Sequence, residues 1–154
     1  MKNALLIVFG ILIFISCLRK NDSEKPLEKV LFAFEKELIK QQVLESNKGI
    51  SYVKLLQEIV RKNDVNYNYK YSFIDSLEHT KNIDITTYLK HQKALVLDKA
   101  MAYEKLMSSN TEEMDLHPGM VAEKILSITT TKDFENNYFK LQFLLFFDLA
   151  NINL

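Results

Sequence analysis

The stretch from Leu141 to Phe147 reads LQFLLFF, and it decides the fold. Taken as a helix, it is apolar on nearly every side. A soluble protein tolerates such a helix only where neighbouring elements surround it. We therefore predict that a hydrophobic C-terminal helix forms the centre of a helical bundle. The pattern Thr130-x-x-Asp133 is typical of a helix N-terminus and predicts where this last helix begins.

Cap residues and apolar spacing predict the helices around this centre. They run from Pro26 to Ser46, from a cap at Ser51 to Asn63, from a capping box at Ser72-x-x-Asp75 to Lys81, and from Asp84 to Met107, with a short helix over Val121, Ile125 and Ile128. The strongest periodic signal belongs to the helix from Asp84, because Ile85, Leu89, Val96, Ala100, Tyr103 and Met107 fall on one narrow stripe.

Composition agrees with an all-α fold. Hydrophobic residues make up 47% of the chain, enough for a core, while 3 glycines and 2 prolines are too few for a turn-rich β-sandwich. No repeat of solenoid length emerges when the predicted helices are compared. We expect one compact bundle of about five to six helices.

Charge and cysteine usage exclude several classes of protein. The 20 basic and 20 acidic residues balance, so no basic footprint for nucleic acid is present and we expect no nucleic-acid partner. Cys17 is the single cysteine, which rules out an intrachain disulfide. No P-loop, dinucleotide-binding glycine pattern or nucleophile motif occurs, and we predict no cofactor.

The amino terminus has the profile of a signal peptide. Lys2 precedes an uncharged run from Ala4 to Leu18, followed by Arg19 and Lys20. As a helix this run would span about 22 Å, less than the roughly 30 Å hydrocarbon core of a bilayer. A permanent membrane-spanning helix is therefore the weaker interpretation.

The sequence Phe14-Ile15-Ser16-Cys17 resembles the lipobox of bacterial lipoproteins. The resemblance implies that the Cys17 thiol receives a diacylglycerol, that a signal peptidase cuts before Cys17, and that the new amino group is acylated. Residues 1–16 would then be the signal peptide, 17–25 the lipidated cysteine and its tether, and 26–154 a single helical domain. Leu18 is not the Asp that retains lipoproteins in the inner membrane, so the outer membrane is favoured. An uncleaved or ordinarily cleaved signal, or a cytosolic apolar tail, remains an alternative.

A tyrosine-rich segment is the candidate binding site. Val65 to Phe73 alternates apolar and polar residues, so Tyr67, Tyr69 and Tyr71 would form one aromatic face on an extended backbone. Such a row could bind a peptide edge or a sugar. The alternatives are a linker whose rings lie in the core, and a helix that pairs Tyr67 with Tyr71.

Titratable residues give weaker candidates. His79, His91 and His117 belong to no zinc motif, so we predict no metal site, and we expect His91 to be solvated. Glu28 and Glu35 lie between two apolar stripes of the first helix and could form an acid–base pair if desolvated. Beside Lys29 and Lys36, a solvated edge is the alternative.

Asp148 is the only charged residue from Leu141 onward, and its position in the helix places it with Leu141 and Leu144. Burial of an unpaired carboxylate is costly. We expect the helix to fray before Asp148 so that the carboxylate reaches water, the alternative being a Lys or Arg from another helix.

Together these features predict a non-catalytic, membrane-tethered domain that binds a protein or envelope component, as an accessory, inhibitor or immunity-type lipoprotein. Its membrane contact would be the lipids on Cys17. Two alternatives are an envelope hydrolase that uses the two glutamates, and a carrier of an apolar ligand within the bundle.

Overall fold

The computed structural model describes residues 24–65, 67, 72–78, 85–94, 96–109 and 117–152. The predicted signal peptide, Cys17 and most of the tether lie outside these residues. Within these residues, seven α-helices and one 3₁₀ turn follow in chain order: α1 Glu24–Lys40, α2 Gly49–Lys62, α3 Phe73–Glu78, α4 Ile85–Ala94, α5 Leu97–Ser109, α6 Pro118–Ile128, the 3₁₀ turn Asp133–Glu135 and α7 Asn137–Ile152. The described part of the chain contains no strand, and the predicted all-α bundle is confirmed.

Helix α7 lies at the centre of the bundle, as predicted. None of its described side chains is exposed, because other elements cover it on every side. Phe143 packs on Tyr52 of α2, and Phe139 on Tyr103 of α5, with ring centroids 5.4 and 5.9 Å apart. Polar contacts join α7 to α1, α3 and α4 as well, through Lys140, Asp148 and Asn137 respectively.

Helix α1 ends earlier than the predicted Ser46. Gln42 adopts a left-handed conformation with φ of 60°, and the N–H of Val43 donates to the carbonyl oxygen of Leu38 at 2.8 Å. The N–H of Gln42 donates to Ile39 at 3.0 Å, which completes a Schellman motif. The predicted end was wrong because Gln42 occupies the left-handed position that ends the helix. Glycine is the usual residue there, so the sequence did not mark this end.

Helix α2 begins at Gly49, before the predicted cap Ser51. The N–H of Gly49 donates to Glu135 Oε1 at 2.8 Å, so a carboxylate distant in sequence accepts the first N–H of the helix. The Ser51 hydroxyl bonds instead to that of Ser46, at 2.8 Å. A Cβ on Gly49 would collide with the carbonyl oxygen of Thr131, so glycine allows these two segments to approach.

The predicted continuous helix from Asp84 to Met107 is wrong, because α4 and α5 are separate helices. The N–H of Val96 donates to the carbonyl oxygen of Lys93 at 3.0 Å, in a turn between them. Helix α4 packs against α1 and α7, while α5 packs against α6. Ala100 and Tyr103 of the common stripe are buried on α5, whereas on α4 the buried residue Tyr88 lies outside the stripe.

The start of the last helix also differs from the prediction. Asp133 Oδ2 accepts hydrogen bonds from the N–H and the hydroxyl of Thr130, both at 2.7 Å, but this box opens only the 3₁₀ turn. Asn136 Oδ1 then accepts the N–H of Tyr138 at 2.8 Å, beside the first residue of α7. The cap at Ser72 is confirmed, since the N–H of Asp75 donates to Ser72 Oγ at 3.1 Å, which is one of the two hydrogen bonds of a capping box.

Candidate functional site

A buried ion pair joins α1 to α7. Lys140 Nζ lies 2.8 Å from Glu35 Oε1, and their side chains are 8% and 5% exposed. The Tyr52 hydroxyl donates to the same Glu35 oxygen at 2.7 Å. Lys140 Nζ also donates to the carbonyl oxygen of Asn47 at 2.7 Å, and it lies 5.5 Å from the centroid of the Tyr52 ring. We call Glu35, Tyr52 and Lys140 the buried polar cluster.

The electrostatics of this cluster stabilise a proton on Tyr52. Burial, followed by the charge and hydrogen bond of Glu35, raises the pKa of the Tyr52 hydroxyl well above its usual value. Opposite charges in the interior attract strongly, but both have lost their hydration. The cluster therefore joins α1, α2 and α7 by contacts that satisfy the ammonium and the carboxylate within the protein.

The predicted glutamate pair does not share one environment. Glu35 is 4% exposed and carries the two bonds just described, whereas Glu28 is exposed, with its Oε1 3.5 Å from the Tyr88 hydroxyl. Seven residues of helix separate the two by about 10 Å along the axis. The sequence analysis identified Glu35 but missed its partner, Lys140. Lys140 lies one helical turn before Phe143, at the start of an apolar run, and this position could have indicated a buried lysine.

A second polar cluster lies nearer the surface, where α4, α5 and α7 meet. Glu104 accepts hydrogen bonds from Lys93 Nζ at 2.6 Å and from the Tyr138 hydroxyl at 2.9 Å. Burial, followed by the bond to Glu104, raises the pKa of Tyr138 above its usual value. Beside it, Asn137 Nδ2 donates to the Tyr88 hydroxyl at 2.7 Å. These contacts fix the first turn of α7 to its neighbours.

Of the predicted tyrosine row, the structure describes Tyr67, while Tyr69 and Tyr71 lie outside the described residues. The Tyr67 ring packs on Phe147 with centroids 5.4 Å apart, and its N–H donates to Asn151 Oδ1 at 2.8 Å. Burial, followed by the carboxylates of Glu58 and Asp64, raises the pKa of Tyr67 to about 12. Tyr67 thus contributes to packing, and ligand binding by the row stays a prediction.

Asp148 contradicts the expectation that it reaches water. It is 0% exposed, and its Oδ2 accepts hydrogen bonds from Ser72 Oγ at 2.7 Å and from the N–H of Ile74 at 2.9 Å. The expectation was wrong because α7 continues to Ile152 and the start of α3 supplies donors. A backbone N–H at a helix start is a partner that residue types do not reveal.

The described histidines belong to neither polar cluster. His91 and His117 are exposed, and His79 lies outside the described residues. Within the part of the chain that the structure describes, no three His, Cys, Asp or Glu side chains are grouped as a metal site would require. None of the described helices combines the length and apolar character needed to cross a membrane.

Comparisons with protein-family models, with curated proteins and with solved structures found no match to this chain.

Proposed function

We propose that the chain is a lipid-anchored lipoprotein of the bacterial envelope, whose helical domain acts by binding a protein or envelope component. The observation that supports a binding role over catalysis is that the Glu35 carboxylate is enclosed and bonded within the protein. That carboxylate is buried, paired with Lys140 and bonded by Tyr52, so it serves as a contact between helices. A domain whose interior charges hold its helices together suits a rigid binding module.

The anchor is proposed from the sequence. The uncharged run after Lys2 ends in Phe14-Ile15-Ser16-Cys17, and the single cysteine stands at the position that lipoproteins acylate. Two or three acyl chains hold a protein on a membrane far more firmly than one, because each buried methylene contributes about 0.8 kcal/mol. Leu18 after the cysteine favours the outer membrane as the destination.

Observations on both alternatives favour the binding role. A glycosidase-type pair needs two carboxylates that face one substrate, whereas Glu28 is exposed and Glu35 is enclosed. A carrier needs space between its helices. The rings of Phe134, Phe143 and Phe147 instead pack on one another, with centroids 6.0 and 5.8 Å apart, which is the ordinary spacing of aromatic contacts.

Metabolic labelling with a fatty acid tests the anchor. The wild-type chain should incorporate the label and sediment with membranes, and Cys17→Ala should do neither. Adding Ser23→Cys to Cys17→Ala gives a matched control, because it restores a thiol six positions away without restoring the motif. Labelling of Cys17→Ala, or of this control, would contradict a lipid on Cys17.

Crosslinking in intact cells tests the binding role. The anchored wild-type chain should form one reproducible crosslinked species, and Cys17→Ala should lose it if the partner shares the membrane. Glu35→Gln provides the test of catalysis. Loss of a hydrolytic activity on purified cell wall in this variant, with its helical circular dichroism intact, would contradict the binding role.

A further inference from the structure

The outward face of α1 carries a row of lysines beside one exposed phenylalanine. Lys29, Phe32, Ala33, Lys36 and Lys40 are all exposed. At 3.6 residues per turn they fall within an arc of about 100° around the helix axis. We call these five residues the α1 face. The nearest acids, Glu28 and Glu37, lie outside the arc on either side of it.

Phe32 is the large apolar residue of the α1 face and lies at one edge of the arc. Its side chain is 50% exposed, and Lys36 Nζ lies 4.8 Å from the centroid of its ring. Lys40 Nζ is 3.8 Å from Glu37 Oε2, but the lysine is 75% exposed and such surface pairs are weak. The lysines therefore remain available to an external anion. Lysines, which bind lipid phosphates, and phenylalanine, which enters the headgroup boundary, are both residue types that membrane-surface helices use.

The position of α1 in the chain brings this face close to a bilayer. Six residues separate Cys17 from Glu24, where α1 begins. A fully extended segment of that length reaches at most about 25 Å. If Cys17 carries lipids, α1 starts within this distance of the headgroups, and the step thus rests on the function proposed above.

We propose that the α1 face docks on the anionic phospholipid surface of the membrane that holds the anchor, and so fixes the orientation of the domain. Lys29, Lys36 and Lys40 meet the lipid phosphates, and the Phe32 ring enters the boundary between headgroups and acyl chains. A lysine close to an anionic surface contributes about a fivefold preference. Three lysines give on the order of a 100-fold preference for the docked orientation, which salt weakens.

Fluorescence quenching on vesicles tests the docking. The lipidated chain with Ala33→Cys has one free thiol, because the lipid occupies the sulfur of Cys17, and that thiol takes an environment-sensitive fluorophore. The probe is a vesicle of phosphatidylcholine with phosphatidylglycerol, or of phosphatidylcholine alone, each containing brominated lipid. We expect strong quenching on the anionic vesicles, loss of it at high salt, and weak quenching on the neutral ones. The same label on Ser127→Cys of α6, which packs against α2 and α5, should stay unquenched on both.

Two matched charge variants decide the cause. Combining Lys29→Gln, Lys36→Gln and Lys40→Gln should reduce quenching to the level on neutral vesicles. Combining Lys90→Gln, Lys105→Gln and Lys132→Gln removes the same charge from other exposed positions and should leave quenching unchanged. The proposal is overturned by equal quenching on both vesicles or by equal loss in both variants. It is also overturned by no quenching on either vesicle, which is the result expected if this face binds a protein partner. Failure of the anchor is read separately, since an unlipidated chain shows no fatty-acid mass and does not sediment with vesicles.

Discussion

The side-chain oxygen of Asn63 accepts a hydrogen bond of 3.0 Å from the N–H of Gly119. Asn63 follows α2 in a left-handed conformation with φ of 51°, and Gly119 lies in the first turn of α6. One asparagine therefore ends one helix and supplies an acceptor to the start of another, where N–H groups lack partners within the helix. This contact fixes the C-terminal end of α2 to the N-terminal end of α6.

Replacing Gly119 with alanine should destabilise the domain by about 2 kcal/mol, as overpacking of a tight contact does. An added Cβ would lie 2.6 Å from Asn63 Oδ1 and 3.1 Å from Asn63 Cα. Urea unfolding followed by circular dichroism measures the loss. Ser127→Ala on the same helix is exposed and should change the free energy of unfolding by less than about 0.5 kcal/mol. An unchanged midpoint for Gly119→Ala would show that Asn63 moves aside at little cost.

Removing one member of the buried polar cluster should be costly. Lys140→Met leaves the Glu35 side chain enclosed without its cationic partner, and we expect a loss of about 3 to 5 kcal/mol. The triple variant Glu35→Leu, Lys140→Met and Tyr52→Phe removes every group that needs a partner, so its stability should approach that of the wild type. Chemical denaturation compares the variants.

An exposed ion pair provides the control for that series. Lys62 Nζ lies 2.6 Å from Glu58 Oε1 on the surface of α2, and Lys62→Met should cost less than about 1 kcal/mol. If Lys140→Met cost no more than this control, the buried pair would be exchanging with water.

Asp148→Asn should destabilise the domain by about 2 kcal/mol, because hydrogen bonds to a buried charged acceptor contribute roughly 1.5 to 3 kcal/mol. Ser72→Ala removes the hydroxyl that donates to Asp148 Oδ2. In a double-mutant cycle the two changes should therefore be less than additive. Asp98→Asn, an exposed acid on α5, is the control and should cost about 0.5 kcal/mol or less. Full additivity would show that Asp148 and Ser72 are not energetically coupled.

Asp133 should give the domain an acid-dependent contribution to stability. Burial raises the pKa of its carboxyl, but the hydrogen bonds from Lys99 and Thr130 and the charge of Lys99 outweigh burial, so the pKa lies below its usual value of 3.8. A carboxyl with a lowered pKa stabilises the fold above its unfolded value, and this contribution is lost as the pH falls through the folded pKa. Asp133→Asn should therefore lower stability at neutral pH and bring it close to that of the wild type at pH values well below 3.8. Denaturant midpoints measured across this range check the sign, and a constant difference would contradict it.

The centre of the fold was predictable because residues 141–147 leave no polar side to face water. The ends of the helices were less predictable, since their partners are distant in sequence. The carboxylates of Glu135 and Asp148 accept hydrogen bonds from the backbone N–H groups of Gly49 and Ile74 respectively. Every residue type except proline carries such an N–H group. Local spacing cannot reveal such donors.

The candidate site shows the same division. Glu35 stood out because its position in the helix placed it between two apolar stripes, but Lys36 beside it, like Lys29 beside Glu28, suggested a solvated edge. The residue that pairs with it is Lys140, 105 positions away. The same periodicity that placed Tyr103 in the core also predicted one helix where two exist, because a stripe records burial and not which neighbour provides it.

The central place of α7 sets the order in which the protein can form. Its segment, residues 137–152, is synthesised after the other six helices that the structure describes, yet five of those helices contact it. The earlier helices emerge from the ribosome without the surface on which they pack, and such long-range contacts form late. If the chain is exported unfolded, as the lipoprotein proposed above would be, the core closes only after residues 137–152 have crossed the membrane.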